Sequence, residues 1–186
     1  MKYSHRGVPV LGVVAPSGTG KTTLLGALIP ELTAAGLRVG CVKHTHHSFD
    51  IDHPGKDSHR LRMAGARQVL LGSSTRWALI VEAPQAGDPG LDELLDRLDL
   101  TTLDVVLVEG FKLEALPKIE VQRVELGHPL LAATTPSVIA LATNRRPPPT
   151  LDRPTFDLDH PAALARYIVD HVRRWAGGTP DPTKEA

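Results

Sequence analysis

The sequence predicts a three-layer α/β domain, in which a mostly parallel sheet has helices on both faces and an antiparallel hairpin is added. Two observations lead to this prediction. Short apolar runs rich in β-branched residues alternate along the chain with stretches of helical periodicity, which is typical of a largely parallel sheet. Two further apolar runs, at 66–72 and 77–81, are joined by a tight turn, and this arrangement indicates a hairpin.

The individual elements follow from the same patterns. Residues 8–15 form an apolar run that suits a buried strand, and leucines at helical spacing follow it as far as Gly36. The other predicted strands are residues 37–43, 66–72, 77–81, 103–108, 118–124 and 137–142. The predicted helices are residues 21–35, a short helix from Asp57 or Ser58 to about Gly65, residues 91–98, and residues 161–175 with a proline in the first turn.

Length, charge and cysteine content limit the class of protein. A chain of 186 residues suits one domain, which we place at 1–176, and we expect residues 177–186 to be a disordered tail. Lys and Arg total 21 and Asp and Glu also total 21, so the basic excess of a non-specific nucleic-acid binder is missing. The single cysteine, Cys41, favours a cytoplasmic location, and no apolar run reaches the roughly 18 residues of a membrane span.

The turn between the first strand and the first helix has the residues of a phosphate-binding loop. It spans residues 15–22, with the sequence APSGTGKT, and matches G-x-x-x-x-G-K-[ST] with alanine in the first position. Gly18 and Gly20 allow backbone N–H groups to converge on phosphate oxygens, and the helix N-terminus favours the same anion. Lys21 then reaches the outer phosphates, and the Thr22 hydroxyl is available to Mg²⁺. The motif predicts a P-loop NTPase-like fold; the alternative is a glycine-rich turn with a solvent-facing lysine.

The strand at 103–108 offers a carboxylate for the metal. Asp104 begins this strand and Glu109 follows it, and nucleotides bind beyond the carboxyl ends of parallel strands. We therefore predict that Glu109, and not Asp104, holds the metal or positions a water molecule. The alternative is a surface glutamate that pairs with the nearby Lys112.

A second polar segment, residues 43–53, also follows the carboxyl end of a predicted strand. It offers Asp50 and Asp52 to Mg²⁺, Lys43 or histidines to an anion, and several histidines to a transition metal. Structural zinc is not predicted, because no cysteine pair or widely spaced histidine set completes a tetrahedron. Two alternatives remain, a solvated polar loop and a switch loop that senses the terminal phosphate, and we favour the switch loop.

Five short segments follow one another in an order that is typical of one protein family. They are the phosphate loop at 15–24, VKHTHH at 42–47, GKDS at 55–58, AGA at 64–66 and VEGFK at 108–112. Together they resemble the molybdopterin-guanine dinucleotide biosynthesis adapter proteins of the MobB type. A phosphate loop occurs in many nucleotide-binding families, whereas the second and third segments are far more selective. The likeness is dense up to Lys112 and thinner from there to about Val172.

The resemblance implies a GTP-binding homodimer that assists the guanylyltransferase joining GMP to molybdopterin. It implies GTP and Mg²⁺ as ligands, hydrolysis that is weak at most, and molybdopterin as a further candidate ligand. The resemblance implies that Gly18, Gly20, Lys21, Thr22 and Thr23 bind the phosphates and Mg²⁺. Ser17, Thr19, Lys43 and His44 are further candidates for nucleotide binding. The implied metal ligands are Thr22, Asp50, Asp52 and Glu109, of which Asp50 and Glu109 are also the catalytic candidates.

The guanine base has no motif of its own in this chain. An Asn-Lys-x-Asp signature is absent, but Asn144 follows the carboxyl end of the strand at 137–142, where a base often lies. Asn144 is therefore a candidate for the guanine edge, and the alternative is a loop residue that starts a turn. No glutamine or arginine is marked as catalytic, which fits weak hydrolysis.

Two other functions, a small-molecule kinase and a metal-delivery GTPase, would use the same phosphate loop. We also expect a homodimer. A small-molecule kinase would need a lid, for which Arg145, Arg146 and Arg153 are the clustered candidates. A metal-delivery GTPase would use the histidines of the 43–53 segment, namely His44, His46 and His47. A homodimer could form through the hairpin at 66–81 or through a free sheet edge at 118–124, with Arg123 at the interface.

Overall fold

The protein contains a parallel sheet, and the predicted phosphate loop follows the carboxyl end of one of its strands. The computed structural model describes residues 3–45, 49–82, 87–145 and 151–176. Its strands are β1 (Ser4–His5), β2 (Val8–Val14), β3 (Val39–Lys43), β4 (Gln68–Gly72), β5 (Trp77–Val81), β6 (Val105–Glu109), β7 (Lys118–Gln122), β8 (Val138–Thr143) and β9 (Thr155–Asp157). Its helices are α1 (Lys21–Ala34), α2 (Asp57–Met63), α3 (Leu91–Leu95) and α4 (Ala162–Ala176). None of the described helices is long and apolar enough to cross a lipid bilayer.

The chain divides into two compact units, one formed by residues 1–44 and 90–186 and the other by residues 45–89. The first unit contains the sheet, with strand order β3-β6-β2-β7-β8-β9, all in parallel, and β1 antiparallel to β2. The second contains α2 and the antiparallel pair of β4 and β5. The predicted parallel sheet and hairpin are confirmed. A single domain over 1–176 stays a prediction, and residues 177–186 lie outside the described residues.

Two hydrophobic layers cover the two faces of the sheet. On one face, Leu28 of α1 and Leu164 of α4 are fully buried in a cluster that includes Leu11 of β2. On the other face, Leu95 of α3 is fully buried in a cluster that includes Val10 of β2. Neighbouring residues of one strand thus enter opposite layers, as the alternation of side chains in a strand requires. The predicted helices on both faces are confirmed.

The strand β7 is an interior strand, so the prediction of a free sheet edge at 118–124 is wrong. It lies between β2 and β8, although it carries Lys118 and Glu120. Both residues are 2% exposed. The Glu120 carboxylate accepts hydrogen bonds from the N–H groups of Leu131 and Ala132, at 2.8 and 2.7 Å. Burial raises the pKa of Glu120 and lowers the pKa of Lys118. The interior position of Glu120 depends on these N–H groups, which the strand's own sequence does not reveal.

Two strands were missed by the sequence patterns. The two-residue β1 and the three-residue β9 are too short for apolar alternation to be visible. The strand β9 nevertheless extends the sheet, because it pairs in parallel with β8. Its last residue, Asp157, therefore lies at the same sheet edge as the carboxyl ends of the other parallel strands.

An ion pair lies at the amino-terminal ends of two of the parallel strands, β3 and β6. Asp104 precedes β6, and its carboxylate accepts hydrogen bonds from the backbone N–H of Arg38 at 2.7 Å and from its guanidinium at 2.8 and 3.0 Å. These bonds lower the pKa of Asp104 to about 2. The pair therefore stabilises the fold above the ordinary pKa of 3.8, and this stabilisation is lost as the pH falls through about 2.

Candidate phosphate-binding site

The loop between β2 and α1 presents an uncapped helix N-terminus. Gly20 is the N-cap residue of α1, and no side chain caps this end of the helix. Gly18 and Gly20 have positive φ values of 76° and 101°, a conformation that favours glycine. A Cβ on Gly18 would meet nothing within 4 Å, so backbone conformation rather than space explains this glycine. The first N–H groups of α1 are thus left for an anionic ligand.

The Lys21 side chain folds back along the loop. Its Nζ donates hydrogen bonds to the carbonyl oxygens of Ala15 and Pro16, at 3.0 and 2.9 Å. The buried Thr19 hydroxyl donates to the same Pro16 oxygen at 2.9 Å. Burial lowers the pKa of Lys21, and nearby Lys43 lowers it further, while Glu109 acts in the opposite direction. The ammonium group therefore lies in a loop where an added anion would stabilise its charge.

Thr22, Glu109 and Lys43 meet beside the loop. The pairing of β6 with β2 and β3 sets Glu109 opposite Val13 and Lys43. The Thr22 hydroxyl donates to the two carboxylate oxygens of Glu109 at 2.9 and 3.1 Å. Lys43 Nζ donates to Thr22 Oγ1 at 3.3 Å and lies 3.4 Å from Glu109 Oε1. Glu109 is 9% exposed and pairs with Lys43, not with Lys112 as the alternative interpretation required.

The contact between Thr22 and Glu109 fits a magnesium ion. Mg²⁺ takes oxygen ligands in octahedral geometry at about 2.0–2.1 Å, so that adjacent ligand oxygens lie roughly 2.9 Å apart. The shorter contact between the Thr22 hydroxyl and the Glu109 carboxylate is 2.9 Å. A hydroxyl and a carboxylate are hard oxygen donors of the kind that Mg²⁺ prefers. The two side chains are thus suitable as adjacent ligands, and substrate phosphates and water would supply the rest.

The backbone after β6 bends closely around His44. The His44 N–H donates to the Glu109 carbonyl oxygen at 2.9 Å, and its ring lies 4.6 Å from that of Phe111 between centroids. Gly110 has a φ of 109°, and a Cβ there would lie 3.1 Å from the Cβ of His44. Phe111 also has a positive φ, 51°. This packing restrains the end of β6 from which the Glu109 side chain reaches Thr22.

Asp50 and Asp52 lie in the second unit, where they bind an arginine that the sequence analysis did not single out. The Arg62 guanidinium donates to both carboxylates and to Glu82, at 2.8 Å for Asp52 and 3.0 Å for Glu82. The hydrogen bond from Arg62 lowers the pKa of Asp52, and the carboxylates raise the pKa of Arg62. The role of Asp50 and Asp52 as metal ligands stays a prediction. His46 and His47 lie outside the described residues.

The alternative functions gain little from the described contacts. Within residues 3–45, 49–82, 87–145 and 151–176, no three or more His, Cys, Asp or Glu side chains are placed to hold a metal ion. Of the arginines considered for a kinase lid, Arg153 donates to the carbonyl oxygens of Val138 and Asp152 at 3.0 and 2.7 Å. Arg146 lies outside the described residues. A metal-delivery site and an arginine lid therefore have no supporting geometry in this part of the chain.

Asn144 connects the carboxyl ends of β7 and β8. Its Oδ1 accepts a hydrogen bond from the N–H of Val124 at 3.3 Å, and its Nδ2 donates to the Glu125 carboxylate at 2.7 and 3.0 Å. This places Asn144 at the edge of the sheet where the phosphate loop lies, since β2, β7 and β8 are parallel neighbours. Its contact with a guanine base stays a prediction. Arg123, which the sequence analysis placed at a dimer interface, lies at the same edge.

The parallel sheet, the uncapped loop and the lysine within it define a P-loop nucleotide-binding protein. A family model narrows the class of protein further. The model is described as "Molybdopterin guanine dinucleotide synthesis protein B" and matches residues 10–144. This protein belongs to that family, MobB.

Relatives and solved structures are similar to this chain over most of its length. A molybdopterin-guanine dinucleotide biosynthesis adapter protein from Escherichia coli K12 is 44% identical over 171 residues, which covers 91% of this chain and 97% of the relative. A protein of the same name from Haemophilus influenzae is 41% identical over 175 residues, covering 94% and 96%. A crystal structure of Bacillus subtilis MobB superposes with a TM-score of 0.69 at 25% identity and covers 87% of this chain and 96% of that chain.

Proposed function

We propose that this protein binds GTP with Mg²⁺ through its phosphate loop and acts as an adapter for the guanylyltransferase that joins GMP to molybdopterin. The observation that carries the proposal is the loop geometry at Lys21 and Thr22, in a chain that is 44% identical to an E. coli adapter protein of this pathway. The adapter role is proposed from the names of the relatives. The nucleotide role is also supported by the side chains themselves.

Each part of the loop has a chemical task in this proposal. The N–H groups around Gly18 and Gly20 bind phosphate oxygens, and Lys21 exchanges its bonds to the Ala15 and Pro16 carbonyls for bonds to the outer phosphates. Ser17, Thr19 and Thr23 belong to the same loop or to the first turn of α1. Magnesium, when bound, neutralises phosphate charge beside Thr22 and Glu109.

Hydrolysis by this site is proposed to be weak. Glu109 is the one carboxylate that the described contacts place beside Thr22, where it can also orient a water molecule. Lys43 Nζ lies 3.4 Å from Glu109 Oε1 and forms an ion pair with this carboxylate. A GTP-binding module with weak hydrolysis suits an adapter whose output is contact with a partner.

The one cysteine, Cys41, which is a free thiol, agrees with a cytoplasmic location.

The adapter proposal is tested by co-purification with the guanylyltransferase. We expect the tagged full-length protein to retain the enzyme in the presence of GTP and Mg²⁺, and to retain less when EDTA replaces Mg²⁺ or when Lys21 is replaced with alanine. If the tagged protein binds GTP but retains the enzyme under none of these conditions, the adapter role is refuted, whereas the proposed nucleotide site is not.

We also propose a homodimer that forms through the hairpin of β4 and β5. Leu70 and Leu79 face each other across this pair and are 67% and 45% exposed, and Trp77 on the same face is 67% exposed. Val69 on the opposite face is 7% exposed. Two-stranded sheets are marginal in water, and contiguous exposed apolar faces mark interaction sites. A second copy supplies an identical apolar face, as two-fold symmetry requires.

Charges on the exposed face of the hairpin are expected to prevent dimerisation. In the double variant Leu70→Lys/Trp77→Lys, two like charges on the same face cannot pair with each other, and each interface would have to bury them. Light scattering at tens of micromolar should therefore report a monomer in place of a dimer. Thr75→Lys, in the exposed turn of the same hairpin, is the matched control and should remain a dimer. A monomeric wild-type protein, or a double variant that stays dimeric, would contradict this interface.

A further inference from the structure

Arg123 packs against the phosphate loop. It follows β7, the strand that pairs in parallel with β2 on the side away from β6. A Cβ built on Gly20 would lie 3.6 Å from Arg123 Nε and 3.8 Å from Nη2. Gly20 is the N-cap of α1 and precedes Lys21, so the guanidinium lies beside the uncapped N-terminus described above. A positive group at this end of a helix opposes the helix dipole unless an anion lies between them.

The carboxylates around Arg123 hold it only loosely. The nearest oxygens belong to Asp159, at 3.8 Å from Nη2, and to Glu125, at 4.0 Å from Nη1. Both distances exceed those of hydrogen bonds, and the side chain is 31% exposed. An arginine that served the fold alone would be expected to use its fork in direct bonds, as Arg38 does with Asp104. The Arg123 guanidinium therefore has donors available for a ligand at the loop.

Arg123 and the candidate metal ligands lie on opposite flanks of the loop. In the sheet order β3-β6-β2-β7, Lys43 and Glu109 end the strands on one side of β2, whereas Arg123 follows the strand on the other side. A polyphosphate in the loop thus has Mg²⁺ ligands along one flank. On its other flank, Arg123 is placed to contribute a positive charge. The planar guanidinium fork matches phosphate oxygens in charge and geometry.

We propose that Arg123 is a phosphate-binding residue of the nucleotide site and donates hydrogen bonds to non-bridging oxygens of the polyphosphate. The inference rests on the proposed nucleotide-binding function and adds to it a contact that the loop motif does not contain. In the absence of nucleotide, Asp159 and Glu125 keep the guanidinium near Gly20. When nucleotide binds, phosphate oxygens at shorter distances become its principal partners.

The test compares the full-length Arg123→Gln and Arg123→Lys variants with the wild type. Calorimetric titrations in Mg²⁺ use GTP and, separately, inorganic tripolyphosphate, which has no base or sugar. We expect Arg123→Gln to bind both ligands about 10- to 30-fold more weakly, since hydrogen bonds to charged groups have this effect. Arg123→Lys should be intermediate, because it keeps the charge but not the fork. Arg97→Gln, which removes an exposed arginine of the same unit, should bind like the wild type.

Each result separates the inference from the proposed function. Unchanged binding of both ligands by Arg123→Gln and Arg123→Lys would overturn the inference. Weaker GTP binding with unchanged tripolyphosphate binding would also overturn it, because the arginine would then contact the base or the sugar. Failure of the wild type to bind either ligand would refute the nucleotide-binding function itself. If Arg123→Gln does not fold, as judged by circular dichroism, the lysine variant alone decides between weaker and unchanged tripolyphosphate binding.

Discussion

Replacing Lys21 with alanine is expected to weaken GTP binding by at least about a hundredfold, while the fold is retained. In the structure, the ammonium group bridges the carbonyl oxygens of Ala15 and Pro16 across the loop. In the nucleotide complex it is the one side-chain cation within the loop motif, and losing one partner of a partly buried charge pair costs about 2–5 kcal/mol. In the free protein Lys21 Nζ bonds to neutral carbonyl oxygens and not to a carboxylate, so removing it leaves no ion-pair partner behind.

The measurement is a fluorescence titration with labelled GTP in the presence of Mg²⁺. Arg97→Ala, an exposed residue of α3's C-terminal flank, is the control for the loss of one positive charge and should bind like the wild type. Circular dichroism melts should agree among the three proteins, since Lys21 contacts loop carbonyls and not the hydrophobic core. Binding by Lys21→Ala within threefold of the wild type would show that the loop does not hold the phosphates.

The phosphate loop and its acidic neighbour were predictable because local rules determine both. The residue spacing in 15–22 requires a strand before it and a helix after it, and both are present as β2 and α1. Glu109 could be chosen over Asp104 because nucleotides bind at the carboxyl edge of a parallel sheet. The structure places Glu109 beside Thr22, and Asp104 at the opposite end with Arg38.

Features that depend on strand order were not predictable in the same way. Arg123 reaches Gly20 because β7 is the neighbour of β2, and no spacing along the chain states which strands are neighbours. For the same reason the sequence wrongly indicated that β7 is an edge strand, since the loop N–H groups that bind the Glu120 carboxylate follow Glu120 by 11 and 12 residues. Asp50 and Asp52 were considered as metal ligands from their position after β3, whereas their contact with Arg62 depends on how α2 folds back.

Replacing Glu109 with glutamine is expected to remove the dependence of GTP binding on Mg²⁺. The substitution preserves the size of the side chain and leaves one carbonyl oxygen to accept the hydrogen bond from Thr22. It removes the negative charge that would bind Mg²⁺ beside the phosphates, so affinity in Mg²⁺ should fall at least about 30-fold. Affinity in EDTA should change little or rise slightly, because a carboxylate near the phosphates repels them when no metal is bound.

Titration of each protein with GTP, once in Mg²⁺ and once in EDTA, provides both affinities from the same preparation. Glu93→Gln, which removes an exposed carboxylate paired with Arg97, should keep the wild-type ratio of the two affinities. If Glu109→Gln keeps that ratio as well, Glu109 does not hold the metal, and its contacts with Thr22 and Lys43 are then structural. If it loses affinity equally in Mg²⁺ and EDTA, Glu109 supports the shape of the loop, because only a metal ligand has an effect confined to the metal-bound state.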